Sequence, residues 1–255
     1  MSVRFCKLVA MTVPFLLVGT GMAGAGQRRA SCRGVKATIV GTADGETLVG
    51  TSKSDVIAAR GGDDVVIGAG GWDLICSGEG SDDVFGGDGP NSIYGGSGAD
   101  VLRGGPLRDH LHAGGGPDFL LGYGNDDDLN TGKGDDLALG GSGDDMFLNL
   151  SGRDEFDGGS GDDRMEGGTF EAAGQGGDDV IIAAGLNDDL SGGSGDDRIL
   201  AGAGPDVVDG GSGDDDLFAG DGNDQIDGGG DIDSADGGDG VDSCVNVEVA
   251  QNCEP

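Results

Sequence analysis

Aromatic side chains, basic residues, histidine and long apolar runs are all scarce in this chain. Phe, Trp and Tyr make up 4 % of its 255 residues, too few for a conventional large core. Lys and Arg total 14 against 48 Asp and Glu, a formal net charge of -34. Such a chain repels nucleic acid and anionic membrane surfaces, both polyanions, and attracts cations. The only histidines are His110 and His112. There is no HExxH pair of zinc-protease type and no GxSxG nucleophile elbow. Beyond residue 25 no apolar run is long enough to cross a bilayer, so no membrane insertion is expected. Leu, Ile, Val and Phe together are 56 residues, about 22 %, just above the range in which high charge usually means disorder.

What is present begins with a different kind of segment. Arg4 and Lys7 precede the run LVAMTVPFLLVGTGMA, which is followed by Ala23-Gly24-Ala25. A basic start, a short apolar stretch and small residues read as a secretory signal peptide over residues 1–25 rather than a membrane anchor. The expected location is secreted and extracellular. Cys6 leaves with that segment, and Cys32, Cys76, Cys244 and Cys253 remain. An even number of cysteines in an exported chain points to disulfides, with three possible pairings.

The dominant feature is a period of nine, and 59 glycines are distributed within it. From Gly41 the frame holds to Glu166, giving 14 nonapeptides such as GGSGADVLR and GGSGDDMFL. The segment GGTFEAA, residues 167–173, has only seven residues and no carboxylate in the expected place. The frame resumes at Gly174 for eight more repeats, ending at Val245. Position 6 of the repeat is Asp in 20 of 22 copies, Glu46 and Asn91 being the others. Position 4 is Gly in 16, and position 8 is Leu, Ile, Val, Met or Phe in 19, with Ala138, Ala235 and Cys244 the exceptions. A disordered acidic chain has no reason to keep carboxylate, glycine and apolar side chain in one register.

This spacing predicts a very short strand at positions 7 to 9, with position 8 facing inward and 7 and 9 outward. Glycines at positions 1, 2 and 4 are expected to supply positive φ in a tight loop. Asp at position 6 closes that loop. Two nonapeptides make one turn of a flattened solenoid, and stacked turns lie about 4.8 Å apart. Carboxylates then stack in a column along each edge, where they repel one another unless cations intervene. Calcium takes six to eight hard oxygen ligands in flexible geometry, which carboxylates and carbonyls supply. Magnesium demands a tighter octahedron, and softer metals want nitrogen or thiolate.

The repeat GGxGxDxUx resembles that of the repeats-in-toxin family, the haemolysin-type calcium-binding nonapeptides. The resemblance implies an all-β, right-handed parallel β-roll (a β-solenoid) with two nonapeptides per turn, binding multiple Ca2+ ions. In that family the Asp of one repeat shares an ion with the Asp two repeats later. Carried over, the metal ligands are Asp55, Asp64, Asp73, Asp82, Asp100, Asp109, Asp118, Asp127, Asp136, Asp145, Asp154, Asp163, Asp179, Asp188, Asp197, Asp206, Asp215, Asp224, Asp233 and Asp242. Counted within the two arrays, they give at most 18 shared sites, weaker where Glu46 or Asn91 takes part. Past residue 25 the chain carries a charge of -36, so filled sites would neutralise most of it. Metal binding and folding are then expected to be one event.

The organisation expected is a signal peptide (1–25), an N-terminal cap (26–40), an array (41–166), an irregular break (167–173), a second array (174–245) and a C-terminal cap (246–255). CRGVKATIV, from Cys32, keeps the frame with Ala37 at position 6 and reads as a ligand-free cap rung. Both flanks resemble those of small secreted calcium-binding repeat proteins of actinobacteria. The pairing expected is Cys32–Cys76 and Cys244–Cys253. The first requires the cap to fold back, since two turns span about 10 Å and a disulfide needs Cα atoms within about 7 Å. His110 and His112 share an outer face and are either a transition-metal pair or two solvated residues. Trp72, at position 5, is expected to be exposed.

Three functional classes compete: a secreted calcium-binding protein, an extracellular adhesin or surface-interaction module, and an accessory roll related to extracellular enzymes. The short flanks leave no room for a catalytic domain, so no enzyme activity is expected. Calcium is the partner expected, with no nucleic acid; any protein or glycan partner is unspecified.

Overall fold

The computed structural model describes residues 30–253; the expected signal peptide lies outside them. Every strand from Ile39 onward belongs to one of two parallel sheets. One has 12 strands, from Thr47–Val49 to Ser243–Val245, and the other 13, from Ile39–Val40 to Val249–Gln251. Consecutive strands alternate between the sheets, so each sheet takes every second repeat. The result is an all-β parallel solenoid of about 12 turns, with no helix among the described residues.

The register is the sequence period made spatial. Ile57 pairs with Ile75 and Ile75 with Ile93, each eighteen residues on. Position 8 faces inward throughout. Ile57, Ile75, Ile93, Leu102, Leu120 and Leu129 are fully buried. Ala138 and Ala235 keep the inward place with smaller side chains. One such residue per half-turn leaves a thin core, thickest where the rings of Phe147, Phe156 and Phe170 follow one another at 5.3 and 5.4 Å.

Residues 167–173 form a shortened rung. Thr169–Gly176 pairs with Arg153–Ser160 on one side and Asp189–Ser194 on the other. The register drops to sixteen there, Phe156 facing Ala172 and Met165 facing Ile181. The two missing residues come from the loop, so strand pairing continues and Phe170 falls where the repeat places Asp.

The N-terminal cap differs from a full rung. Only Ile39–Val40 continues the 13-stranded sheet. Ser31–Cys32 and Val35–Lys36 pair antiparallel as a hairpin, folded back onto that sheet's outer face. Cys32 is fully buried and bonded to Cys76 with Cα atoms 5.5 Å apart, and the Arg33 guanidinium lies 4.7 Å above the Tyr94 ring. The fold-back required by the 44-residue separation is therefore a real element. At the other end Cys244 bonds Cys253, Cα atoms 5.7 Å apart, and Val247 packs against the core.

Candidate metal centre

Loops stack along two edges of the solenoid. Edge I carries loops from the 13-stranded to the 12-stranded sheet, with Glu46 at one end and Asp242 at the other. Edge II carries the return loops, from Asp55 to Asp233. The structure puts all twenty predicted aspartates on these edges, each buried although it lies in a loop. They stand in order, connected rung to rung. Asp197 donates its backbone N–H to Asp215 Oδ1 at 2.9 Å, and Asp215 donates in turn to Asp233 Oδ1 at 3.0 Å. Edge I repeats this from Glu46 to Asp154 and again from Phe170 to Asp242.

One carboxylate oxygen is thereby used. The other, Oδ2, is buried and without a hydrogen-bond partner in eighteen of the twenty. A buried, unpaired carboxylate oxygen costs free energy unless a cation or proton joins it. Burial pushes many of them well upward, among them Asp100, Asp109, Asp145 and Asp215 to about 6, Asp118 and Asp197 to about 7, Asp127 and Asp163 to about 8. Neighbouring carboxylates, such as Asp145 beside Asp127, add to the rise.

Two aspartates are exceptions. At the first rung of edge II, Asp55 Oδ2 accepts from the Thr51 N–H at 2.7 Å and from Thr51 Oγ1 at 2.8 Å. Burial still pushes Asp55 up, but the bonds from Thr51 and Thr38 outweigh it and hold the group below the usual range. Asp154 Oδ2 takes a long contact from Thr131 Oγ1, 3.4 Å. Asn91 keeps the ladder without charge, accepting from Asp73 and giving its Nδ2 to the Gly89 carbonyl.

The space beside each free oxygen is formed by the absence of a side chain at position 1. A Cβ built on Gly95 would lie 2.6 Å from Asp100 Oδ2 and 2.7 Å from the Ala113 carbonyl of the next turn. On Gly68 it would lie 2.6 Å from Asp73 Oδ2. Carboxylate and carbonyl oxygens thus converge over the bare Cα, a donor set that suits a hard cation. Among the described residues no three His, Cys, Asp or Glu come together. Each place therefore offers two carboxylates at most, and carbonyl oxygens must supply the rest.

The expectation that position 1 needs positive φ is corrected. Gly211 and Gly213 have φ of 108° and 134°, whereas Gly210 lies outside the left-handed region. Positions 2 and 4 bend the loop, and position 1 keeps space open.

The break interrupts only one edge. On edge I, Phe170 replaces the carboxylate and is buried between Asp154 and Asp188. On edge II, Asp163 and Asp179 remain stacked, so the ceiling of shared sites exceeds the within-array count by this pair.

Two features were missed in the sequence. The aspartates at position 5 form their own ladder, running the other way: Asp144 Oδ1 accepts from the Asp162 N–H at 3.0 Å and Asp196 Oδ1 from the Asp214 N–H at 2.9 Å. The recurrent Asp-Asp pairs were the available signal. At the C-terminal end Glu248 Oε2 accepts from the Asp233 N–H at 2.9 Å, standing in for the next Asp outside the repeat frame. His110 pairs with Asp128 at 3.2 Å and His112 lies 5.8 Å from the Tyr94 ring, both on the outer face. Trp72 is exposed.

No curated protein matches the chain. The sequence model of the RTX calcium-binding nonapeptide repeat, which spans four copies, matches residues 40–75, 77–111, 104–138, 139–170 and 191–226.

Proposed function

This chain belongs to the RTX family of calcium-binding nonapeptide repeats, and on that premise we propose that it is a secreted protein that binds many calcium ions along its two edges and folds as it binds them. The observation that carries this reading is the row of buried, unpartnered Asp Oδ2 atoms. The ligands are the position-6 aspartates, two per ion, joined by carbonyl oxygens of neighbouring loops. Bound calcium supplies positive charge that offsets the repulsion within each column. The chain's own residues do the rest: positions 2 and 4 shape the loop, position 6 presents the oxygen, and position 8 holds the turn to its neighbours.

Linkage makes folding depend on the ion. An ion that binds the stacked edges and not the open chain stabilises the fold in proportion to the logarithm of its concentration. Circular dichroism during a calcium titration, with calorimetry for stoichiometry, tests this. Strand signal that rises with bound calcium is expected. A fully folded spectrum in excess chelator would refute folding on binding, and no heat of binding would refute the calcium reading itself. Detection of the processed chain in culture medium, beginning near residue 26, tests secretion.

A second reading, a surface-interaction module, has one observation in its favour. The outer face of the 12-stranded sheet carries Val65, Ile67, Phe85, Val101, Leu121 and Leu139 in adjacent rungs, then turns acidic at Glu155, Asp157 and Glu171. Leu121→Asp with Leu139→Asp would abolish cell-surface or glycan adhesion if that face mediates it, with calcium stoichiometry unchanged.

A further inference from the structure

The two edges differ at position 1. On edge II this residue is Gly in all eleven repeats, from Gly50 to Gly228. On edge I it is Gly in only three of eleven. Elsewhere edge I has Ala59, Ala113, Ala183, Ala201 and Ala219, all buried and facing inward. Ser77 and Thr131 occupy two more of its rungs and are fully buried.

Backbone conformation does not explain the difference. The position-1 glycines lie outside the left-handed region, so alanine is conformationally acceptable there, and edge I uses it. What glycine at position 1 provides is space, which edge I has only at Gly41, Gly95 and Gly237. A Cβ on Gly210 would lie 2.6 Å from the Gly228 carbonyl and nearer still to Asp215 Oδ2. On Gly122 it would lie 2.6 Å from the Gly140 carbonyl, again with Asp127 Oδ2 closer. The same two oxygens converge at Gly68, Gly140, Gly158, Gly174, Gly192 and Gly228. On edge I the residue at the equivalent position carries a buried methyl group at five rungs. At Ser77 the side chain is a hydroxyl that donates to the Gly95 carbonyl at 2.8 Å, the position-1 carbonyl of the next turn.

We infer that edge II is the tight calcium edge and that the alanine, serine and threonine rungs of edge I bind calcium weakly. The position-1 side chain is the affinity determinant. Phe170 adds to the asymmetry by removing a carboxylate from edge I alone. The chain would then fill in two stages, edge II first. This inference rests on the calcium reading above.

The test is calorimetric titration of the full oxidised chain with calcium, with circular dichroism at saturation to confirm folding. Two variants are compared with wild type. Gly122→Ala/Gly140→Ala/Gly192→Ala/Gly210→Ala should lose about one tight ion per substituted rung. Ala59→Gly/Ala113→Gly/Ala183→Gly/Ala201→Gly/Ala219→Gly should move about five ions from the weak class to the tight one. Wild type should show two classes of sites. A single class in wild type, or a tight count unmoved by both variants at full calcium occupancy, would overturn the inference and leave the calcium reading standing. No calcium bound by wild type would end both. If the glycine-to-alanine variant fails to fold, the alanine-to-glycine variant decides alone: an unchanged tight count overturns the inference.

Discussion

The backbone N–H of Asp163 donates to Asp179 Oδ1 at 2.6 Å, across sixteen residues instead of eighteen. The rung between them has lost two loop residues and keeps its strand, so the edge II ladder passes it without a gap. The same shortening places Phe170 in the ladder of edge I. One local deletion is therefore silent on one edge and disruptive on the other.

Asp179→Asn and Phe170→Ala should separate accordingly. Asp179 stands between Asp163 and Asp197 in the ladder, so its loss should remove about two calcium ions in a calorimetric titration. Phe170→Ala should remove none but should lower stability at saturating calcium by about 3–5 kcal/mol through the lost aromatic contact with Phe156. Denaturant unfolding measures the second effect. A loss of ions in Phe170→Ala would contradict this assignment.

Acid should oppose calcium yet favour the ion-free fold. The Asp127 and Asp163 carboxyls are raised from 3.8 to about 8, chiefly by burial. A raised carboxyl binds protons more tightly folded than unfolded, so its contribution to ion-free stability is fully present below about pH 4. It is lost as pH rises through about 8. In metal-stripped buffer, strand content by circular dichroism should be higher at pH 5 than at pH 8.5. Calcium affinity should show the opposite trend, because protons compete for the same oxygens. Equal strand content at both pH values would contradict the first expectation.

Much of this was readable from the chain alone because the repeat ties a chemical role to a position. Period nine and apolar position 8 gave alternating strands and the inward row of Ile57, Ile75 and Ile93. Asp at position 6 gave the ladders. Other features depend on neighbouring turns and left no mark in a single repeat. That Gly210 is needed for space and not for φ is apparent only once Asp215 and the Gly228 carbonyl are in place. Glu248 lies outside the frame and completes edge II only because the last rung is shortened. The segment from Cys32 keeps the repeat frame in sequence, yet Ser31–Cys32 and Val35–Lys36 pair as a hairpin, with Cys32 bonded to Cys76.

Glu248→Gln should weaken the last place on edge II and leave the rest intact. Its Oε2 accepts the Asp233 N–H, and its charge helps keep the Asp233 carboxyl raised, after burial as the main cause. In a solenoid each turn depends on its neighbours alone, so the effect should stay local. Hydrogen exchange should quicken at Ser234 and Val249 and remain unchanged at Ile93. Loss of protection along the whole array would show that the end rung controls more than itself.

Removal of the Cys32–Cys76 bond should be felt at the N-terminal turns. The bond closes a 44-residue separation, for which the chain-entropy model gives about 4 kcal/mol. It also fixes the hairpin over the outer face, where Ala58 is buried and Arg33 covers Tyr94. Cys32→Ser should therefore release the hairpin, speed exchange in Val56–Gly61 and Leu74–Glu79, and lower the thermal midpoint. The edge II aspartates beyond Asp109 lie several turns away, so calcium stoichiometry there should not change. A variant with wild-type exchange at Ala58 would show that the hairpin holds its place by packing alone, and one that loses most of its calcium would show that the cap nucleates the whole array.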